Sequence, residues 1–194
     1  DRGCFVHAWR AANRTLDTRM LDHLIAAKGT IYQRLIAADL TLVPGVGPFV
    51  RSLHTEGVRL AIVSAARREE IIHVLTIAGL VDCFVGIVAA EDVTRTKPDP
   101  EGYLKGLALL GLPTSACVVV EDSNNGVESA AAAGMKCVVT VSGYTREEDF
   151  SKASIVLTCL GDPGGERCEV LENRSAARPG AWFTAADLEK VLHP

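Results

Sequence analysis

Three short apolar runs end in side chains that handle phosphate and metal ions. Leu60–Val63 is followed by the hydroxyl of Ser64. Cys83–Val88 leads into the loop Glu91–Pro100, which carries Lys97 within Thr96-Lys97-Pro98-Asp99-Pro100. Cys117–Val120 is followed by Glu121 and Asp122, then by Ser123-Asn124-Asn125-Gly126. Two adjacent carboxylates at a buried strand end resist being charged together unless a cation neutralises them. Magnesium takes one or two carboxylates and completes its shell with water and phosphate oxygens. A serine hydroxyl, the N–H groups of a helix start and a lysine all suit phosphate. Each residue also has a plainer role. Ser64 could cap the following helix, Glu121 and Asp122 could be helix-start acids favoured by the dipole, and Lys97 could be solvated. Their order and spacing as a set point to phosphoryl chemistry, which needs mainly positioning and charge neutralisation.

Such a set works only if the strands bring it to one edge. The runs Val58–Val63, Cys83–Val88, Cys117–Val120 and Cys137–Val141 show almost no polar alternation, so they predict strands buried on both faces. Between them, Arg67–Ala78, Glu101–Leu110 and Val127–Ala133 read as helices closed by Gly79, Gly111 and Gly134. Repeated strand–helix–strand units predict an α/β domain with a doubly wound parallel sheet, whose ligands bind outside the carboxyl ends of the strands. Ahead of it, Leu16-Asp17-Thr18 opens a helix that runs to Leu42–Gly45, and a shorter one covers Pro48–Thr55. Ser154–Leu157 adds a strand. Gly161–Gly180 reads as a surface excursion, and Thr184–Asp187 has capping-box spacing ahead of a C-terminal helix.

The chain has 194 residues, 48% of them hydrophobic, and a net charge of −4. The apolar fraction suffices for a packed core. The mild acidity argues against a nucleic-acid partner. No apolar run reaches the ~20 residues of a membrane span. The six cysteines form no Cys-x-x-Cys pair, and the reading is of reduced core residues in a cytoplasmic protein. The five histidines have no metal-ligand spacing. The first residue is Asp1 rather than methionine, which leads to the expectation of a sequence shortened at its N-terminus.

As a set, Leu60–Ser64, Lys97-Pro98-Asp99-Pro100 and Val118–Gly126 resemble motifs II, III and IV of the haloacid dehalogenase (HAD) superfamily. Glu121-Asp122-Ser123 with Gly126 resembles the branch of β-phosphoglucomutase and the CbbY-type sugar-phosphate phosphatases, and Thr140–Thr145 with Glu148-Asp149-Phe150 leans to the latter. The likeness covers Leu42 to about Leu160. Leu24–Asp39 resembles the last helix of the small helical cap. The resemblance implies a HAD Rossmann-like core over 42–194 and the remnant of a cap over 1–41. It implies that Ser64 holds the transferring phosphate, that Lys97 neutralises the phosphate and the nucleophile, with Asn125 as a further substrate contact, and that Glu121 and Asp122 hold Mg2+ directly or through water. In relatives the nucleophile lies in Asp-x-Asp-Gly-Thr, at the end of a strand between those ending at Ser64 and Glu121. This sequence contains no such motif.

The expectation is therefore a magnesium-dependent phosphatase of a small phosphorylated metabolite, a sugar phosphate by branch, acting through an aspartyl-phosphate whose aspartate is not in this chain. A phosphosugar mutase and a non-catalytic phosphate-ligand binder are the alternatives. A receiver-like domain fits poorly, since its acidic pair would follow the first strand. Acyl hydrolysis lacks a Gly-x-Ser-x-Gly elbow.

Overall fold

A computed structural model describes residues 2–193, whose contacts divide into two compact units, Asp1–Leu40 and Thr41–Pro194. The first unit is a helical pair, α1 (Arg2–Ala11) and α2 (Thr18–Ala38). Asp17 caps α2 by accepting from the Met20 N–H at 2.8 Å. Leu21 and Ile36 are buried, whereas Met20, Ile31 and Leu35 on the same helix are exposed. The α1 helix was not foreseen, because Arg2–Ala11 lacks a sustained apolar stripe.

The second unit runs α3 (Val46–Thr55), β1 (Ala61–Val63), α4 (Arg68–Ala78), β2 (Gly86–Val88), α5 (Glu101–Leu110), β3 (Val118–Glu121), α6 (Asn124–Ala132), β4 (Lys136–Thr140), β5 (Ile155–Leu157), β6 (Val170–Asn173) and α7 (Ala185–Leu192). This is the expected α/β alternation, with helix ends where glycine placed them. Gly79 and Gly111 adopt positive φ at the ends of α4 and α5. Thr184 and Asp187 form the capping box of α7. Side chains along the strands alternate between two cores. Val138, Ile155 and Leu157 face Phe49 and Leu53 of α3 and Val191 of α7. Cys137, Val139 and Val156 face Val127 and Ala130 of α6 and Tyr103 of α5. Both faces are covered, which explains runs without polar alternation.

The sheet is not continuous. β1 pairs in parallel with β2, and β3, β4 and β5 form a second parallel ladder that β6 extends antiparallel. Among the described residues, β1 and β3 each pair on one side only. Their free edges line a common cavity of about 190 Å³, floored by Tyr103, Gly106, Leu107 and Leu110 of α5. The strand expected over Val58–Val63 shortens to Ala61–Val63, because strand length depends on having a partner on each edge. Helix α5 lies close against β1. A Cβ on Gly102 or Gly106 would come within 3.1 or 2.8 Å of Val63.

The excursion expected over Gly161–Gly180 is corrected in part. It holds β6, and Cys168 and Ala177 within it are buried. All four β6 residues are exposed, so no apolar pattern marked this edge strand.

Candidate active site

The carboxyl ends of β1, β2 and β3 deliver the predicted side chains to one edge of the sheet. Ser64 follows β1 directly, and its N–H donates to the Val88 carbonyl of β2 at 2.9 Å. That bond extends the ladder one residue and fixes the side chain at the sheet edge. Its Oγ accepts from the Ala66 N–H at 3.1 Å, as in a serine turn. The hydroxyl proton remains available for a ligand. Ser64 and Lys97 line one small hollow together with Val88, Arg95 and Thr96.

Lys97 is the hub. Its Nζ donates to the Val63 carbonyl at 3.1 Å and forms a close ion pair with Glu121 Oε1. A single ammonium thus joins the last residue of β1 to the last residue of β3, across the mouth of the slot between them. The two strands therefore run in the same direction on either side of it. An ammonium has three donors, which leaves one for a ligand. The loop that carries Lys97 is tied down on both sides. Glu101 accepts from the Thr94 N–H and hydroxyl at 3.0 and 2.8 Å, from the Arg95 N–H at 2.9 Å and from Lys105 at 2.7 Å. These bonds hold the Glu101 carboxyl well below the usual carboxylate range, with Lys105 the largest cause. Below the loop, the Ser129 hydroxyl of α6 donates to the Asp99 carbonyl at 2.7 Å.

Glu121 is buried and fully engaged. Oε1 takes Lys97 and the Tyr103 hydroxyl, and Oε2 takes the Asp122 N–H at 3.2 Å and the Ser123 hydroxyl at 3.3 Å. Burial by itself would raise its carboxyl, but the charge and hydrogen bond of Lys97, then Tyr103, hold it below the ordinary value. Tyr103 moves the other way, pushed up by burial and then by the Glu121 charge, so it stays a donor. No motif or spacing marks Tyr103. The only clue is chemical, since a buried tyrosine hydroxyl needs a partner. Gly126 makes room for the carboxylate, as a Cβ there would lie 2.0 Å from the Glu121 carboxyl carbon.

Asp122 is the open acid. The residue is exposed, yet its carboxyl is partly withdrawn from solvent. That burial and then the Glu121 charge push it above the usual range. A cation would relieve this, so the donor set fits a magnesium ion held by Asp122, the Glu121 oxygens being already taken. Among the described residues no three His, Cys, Asp or Glu side chains converge. Magnesium accepts so few protein ligands when phosphate and water supply the rest. Asn125 is not drawn in. It lies exposed on the first turn of α6 without a hydrogen bond among the described residues.

A model of the haloacid dehalogenase-like hydrolase family matches residues 2–134. Protein CbbY of Rhodobacter capsulatus is 39% identical over 143 residues, covering 71% of this chain and 62% of its own length. A CBBY-like protein of Arabidopsis thaliana is 40% identical over 139 residues, covering 68% of this chain and 42% of its own length. The chain thus spans about half the length of these relatives. A crystal structure of CbbY from Rhodobacter sphaeroides in complex with xylulose-(1,5)-bisphosphate superposes with a TM-score of 0.71 at 27% identity, covering 77% of this chain and 70% of that one. Family match, sequence relatives and fold agree: the chain belongs to the haloacid dehalogenase-like hydrolases and is similar in sequence and fold to CbbY proteins.

Proposed function

We propose that this protein serves a magnesium-dependent phosphatase reaction on a small sugar phosphate, with the attacking aspartate supplied by a strand seated between β1 and β3. The observation that carries the reading is the Lys97 ammonium, which bonds Val63 and Glu121 at the ends of the two strands flanking the slot. A strand paired there in parallel would end beside Lys97, Ser64 and Asp122. Apolar side chains would suit its body, because Ile62, Leu107 and Val119 wall the cavity. A carboxylate would suit its end, because an ammonium with a free donor waits there.

In this scheme the aspartate attacks phosphorus, the P–O bond to the sugar breaks and the sugar oxygen takes a proton from solvent, giving an aspartyl-phosphate that water then cleaves to phosphate and the free carboxylate. Ser64 donates a hydrogen bond from its hydroxyl to a phosphoryl oxygen. Lys97 lowers the charge on the nucleophile before attack and on the phosphoryl oxygens during it. Glu121 holds Lys97 in place. Asp122 would hold the magnesium, which would supply further neutralisation of the transferring group, while Glu121 orients the Asp122 backbone through its N–H. The xylulose-(1,5)-bisphosphate bound by the CbbY neighbour supports a sugar bisphosphate as the substrate class. Residues 1–41 are read as part of a helical cap and 42–194 as the catalytic core.

Phosphate release from a sugar bisphosphate tests the reading, with the slot strand fused ahead of the chain and magnesium present. Turnover should fall by two orders of magnitude or more (about 10²-fold or beyond) in Asp122→Asn, the loss typical of a removed transition-state charge contact. Unchanged turnover in that variant sinks the proposal.

A further inference from the structure

Beyond the phosphate site, Cys159 and Cys168 face each other on the hairpin that follows β5. Leu157 is the partner of Val170 in the antiparallel ladder. The Thr158 N–H donates to the Glu169 carbonyl at 3.0 Å, and the Glu169 N–H donates to Thr158 Oγ1 at 3.1 Å. The register therefore runs on to place Cys159 opposite Cys168. Thr158 and Glu169 share one main-chain bond, the return bond going to the Thr158 hydroxyl, and 159 and 168 follow as the next opposed pair before the Leu160 N–H turns to the Pro44 carbonyl. The Cys168 N–H turns away from β5 and donates to Ala181 at 2.7 Å. Both side chains lie on one face. Cys168 packs in the same core as Leu157, two residues before Cys159, and Cys159 Sγ lies 3.5 Å from the carbonyl of Arg167. Disulfides bridge Cα separations of about 4.4–6.8 Å, a range that opposed residues of antiparallel strands occupy.

We infer that Cys159 and Cys168 are a disulfide-forming pair, closed by exchange with a small-molecule disulfide. One thiol loses its proton to solvent, and its thiolate attacks a sulfur of the small disulfide. A mixed disulfide forms and one small thiolate departs. The second cysteine, deprotonated in turn, attacks the protein sulfur of that mixed disulfide and expels the second small thiolate. The protein sulfurs are oxidised by two electrons, and the small disulfide is reduced to two thiols. Both thiols are free and buried in the structure, so the reaction proceeds through opening of the hairpin. The opening is local, since β6 is an exposed edge and its register is broken between Val156 and Leu157. Burial, then the neighbouring Cys159, push the Cys168 thiol up to about 11. Exchange is therefore slow at neutral pH and accelerates as pH rises. Once closed, the bridge locks the base of the Gly-rich turn that begins at Gly161.

Arg167 lies between the two cysteines, so trypsin separates them and makes the test decisive. The native protein is incubated with oxidised glutathione, quenched with an alkylating agent under denaturing conditions and digested. The expected product is peptide 153–167 joined to peptide 168–174, two hydrogens (about 2 Da) lighter than the pair and released by dithiothreitol. Cys159→Ser and Cys168→Ser should each stop at a glutathione adduct on the remaining cysteine. Alkylated, unlinked peptides after prolonged incubation at pH 9 overturn the inference. So do bridges to Cys83, Cys117 or Cys137 formed as readily as this one. If a variant fails to fold, the map of the unsubstituted protein decides.

Discussion

Replacing Lys97 by methionine removes the only cation bonded to Glu121 among the described residues, and leaves an unpaired carboxylate in the core. Burial decides the size of the effect. Exposed ion pairs contribute about 0.2–1 kcal/mol, but here the side chains retain only 17% and 6% of their accessibility. Removing one partner of a buried pair costs about 3–5 kcal/mol, a large part of the roughly 5–15 kcal/mol that holds a domain together. The double variant Lys97→Met/Glu121→Gln should recover most of that loss, because no charge remains stranded. The pH dependence has a definite sign. Glu121 sits below its ordinary value of 4.5, so its stabilisation is present above that pH and lost as pH falls. Without Lys97, burial raises the same group, and acid relieves the penalty by protonating it. The gap between native protein and variant should therefore be widest near pH 7 and narrow towards pH 4.5. Urea unfolding in EDTA across that range measures it. A loss below about 1 kcal/mol at pH 7, the ceiling for an exposed pair, would refute the reasoning. So would a gap that does not change with pH.

Three further substitutions test packing at the site and elsewhere in the core unit. Gly126→Ala should displace the Glu121 carboxylate, whose carbon would lie 2.0 Å from the new Cβ, and lower the urea midpoint by an amount comparable to Lys97→Met. Gly45→Ala should destabilise by about 1–3 kcal/mol, because φ is +87° and the Cβ would lie 2.1 Å from the Gly161 carbonyl oxygen; thermal unfolding reads the loss. Asp187→Ala should cost about 1–2 kcal/mol in chemical denaturation, since it removes a buried capping-box partner of Thr184.

Elements fixed by local chemistry were legible in the sequence. Glu101–Leu110 with Gly111, Arg67–Ala78 with Gly79, and Thr184–Asp187 carry their own start and stop signals, and the structure places those helices within a residue of the reading. The apolar run Cys137–Val141 was legible because both of its faces are covered. Features that depend on a distant partner were not. β1 covers only the second half of Val58–Val63, because one of its edges is open. β6 was hidden because all of its side chains face solvent. Of the site, the order Ser64, Lys97, Glu121, Asp122 could be read from strand ends. The Lys97–Glu121 pair and the Tyr103 hydroxyl on the same carboxylate could not, since they arise from the packing of α5 beneath β1 and β3. The Asn125 side chain, a substrate contact implied by the resemblance, has no hydrogen bond among the described residues.

The account turns on an aspartate reaching the mouth of the slot beside Lys97. Mass spectrometry of the rapidly quenched protein tests this most directly, with the slot strand fused, magnesium present and a sugar bisphosphate added. A phosphoryl adduct of about 80 Da on the strand aspartate, absent in Asp122→Asn, is the predicted result. A phosphorylated Ser64, or rapid turnover with no adduct on the strand, would contradict it.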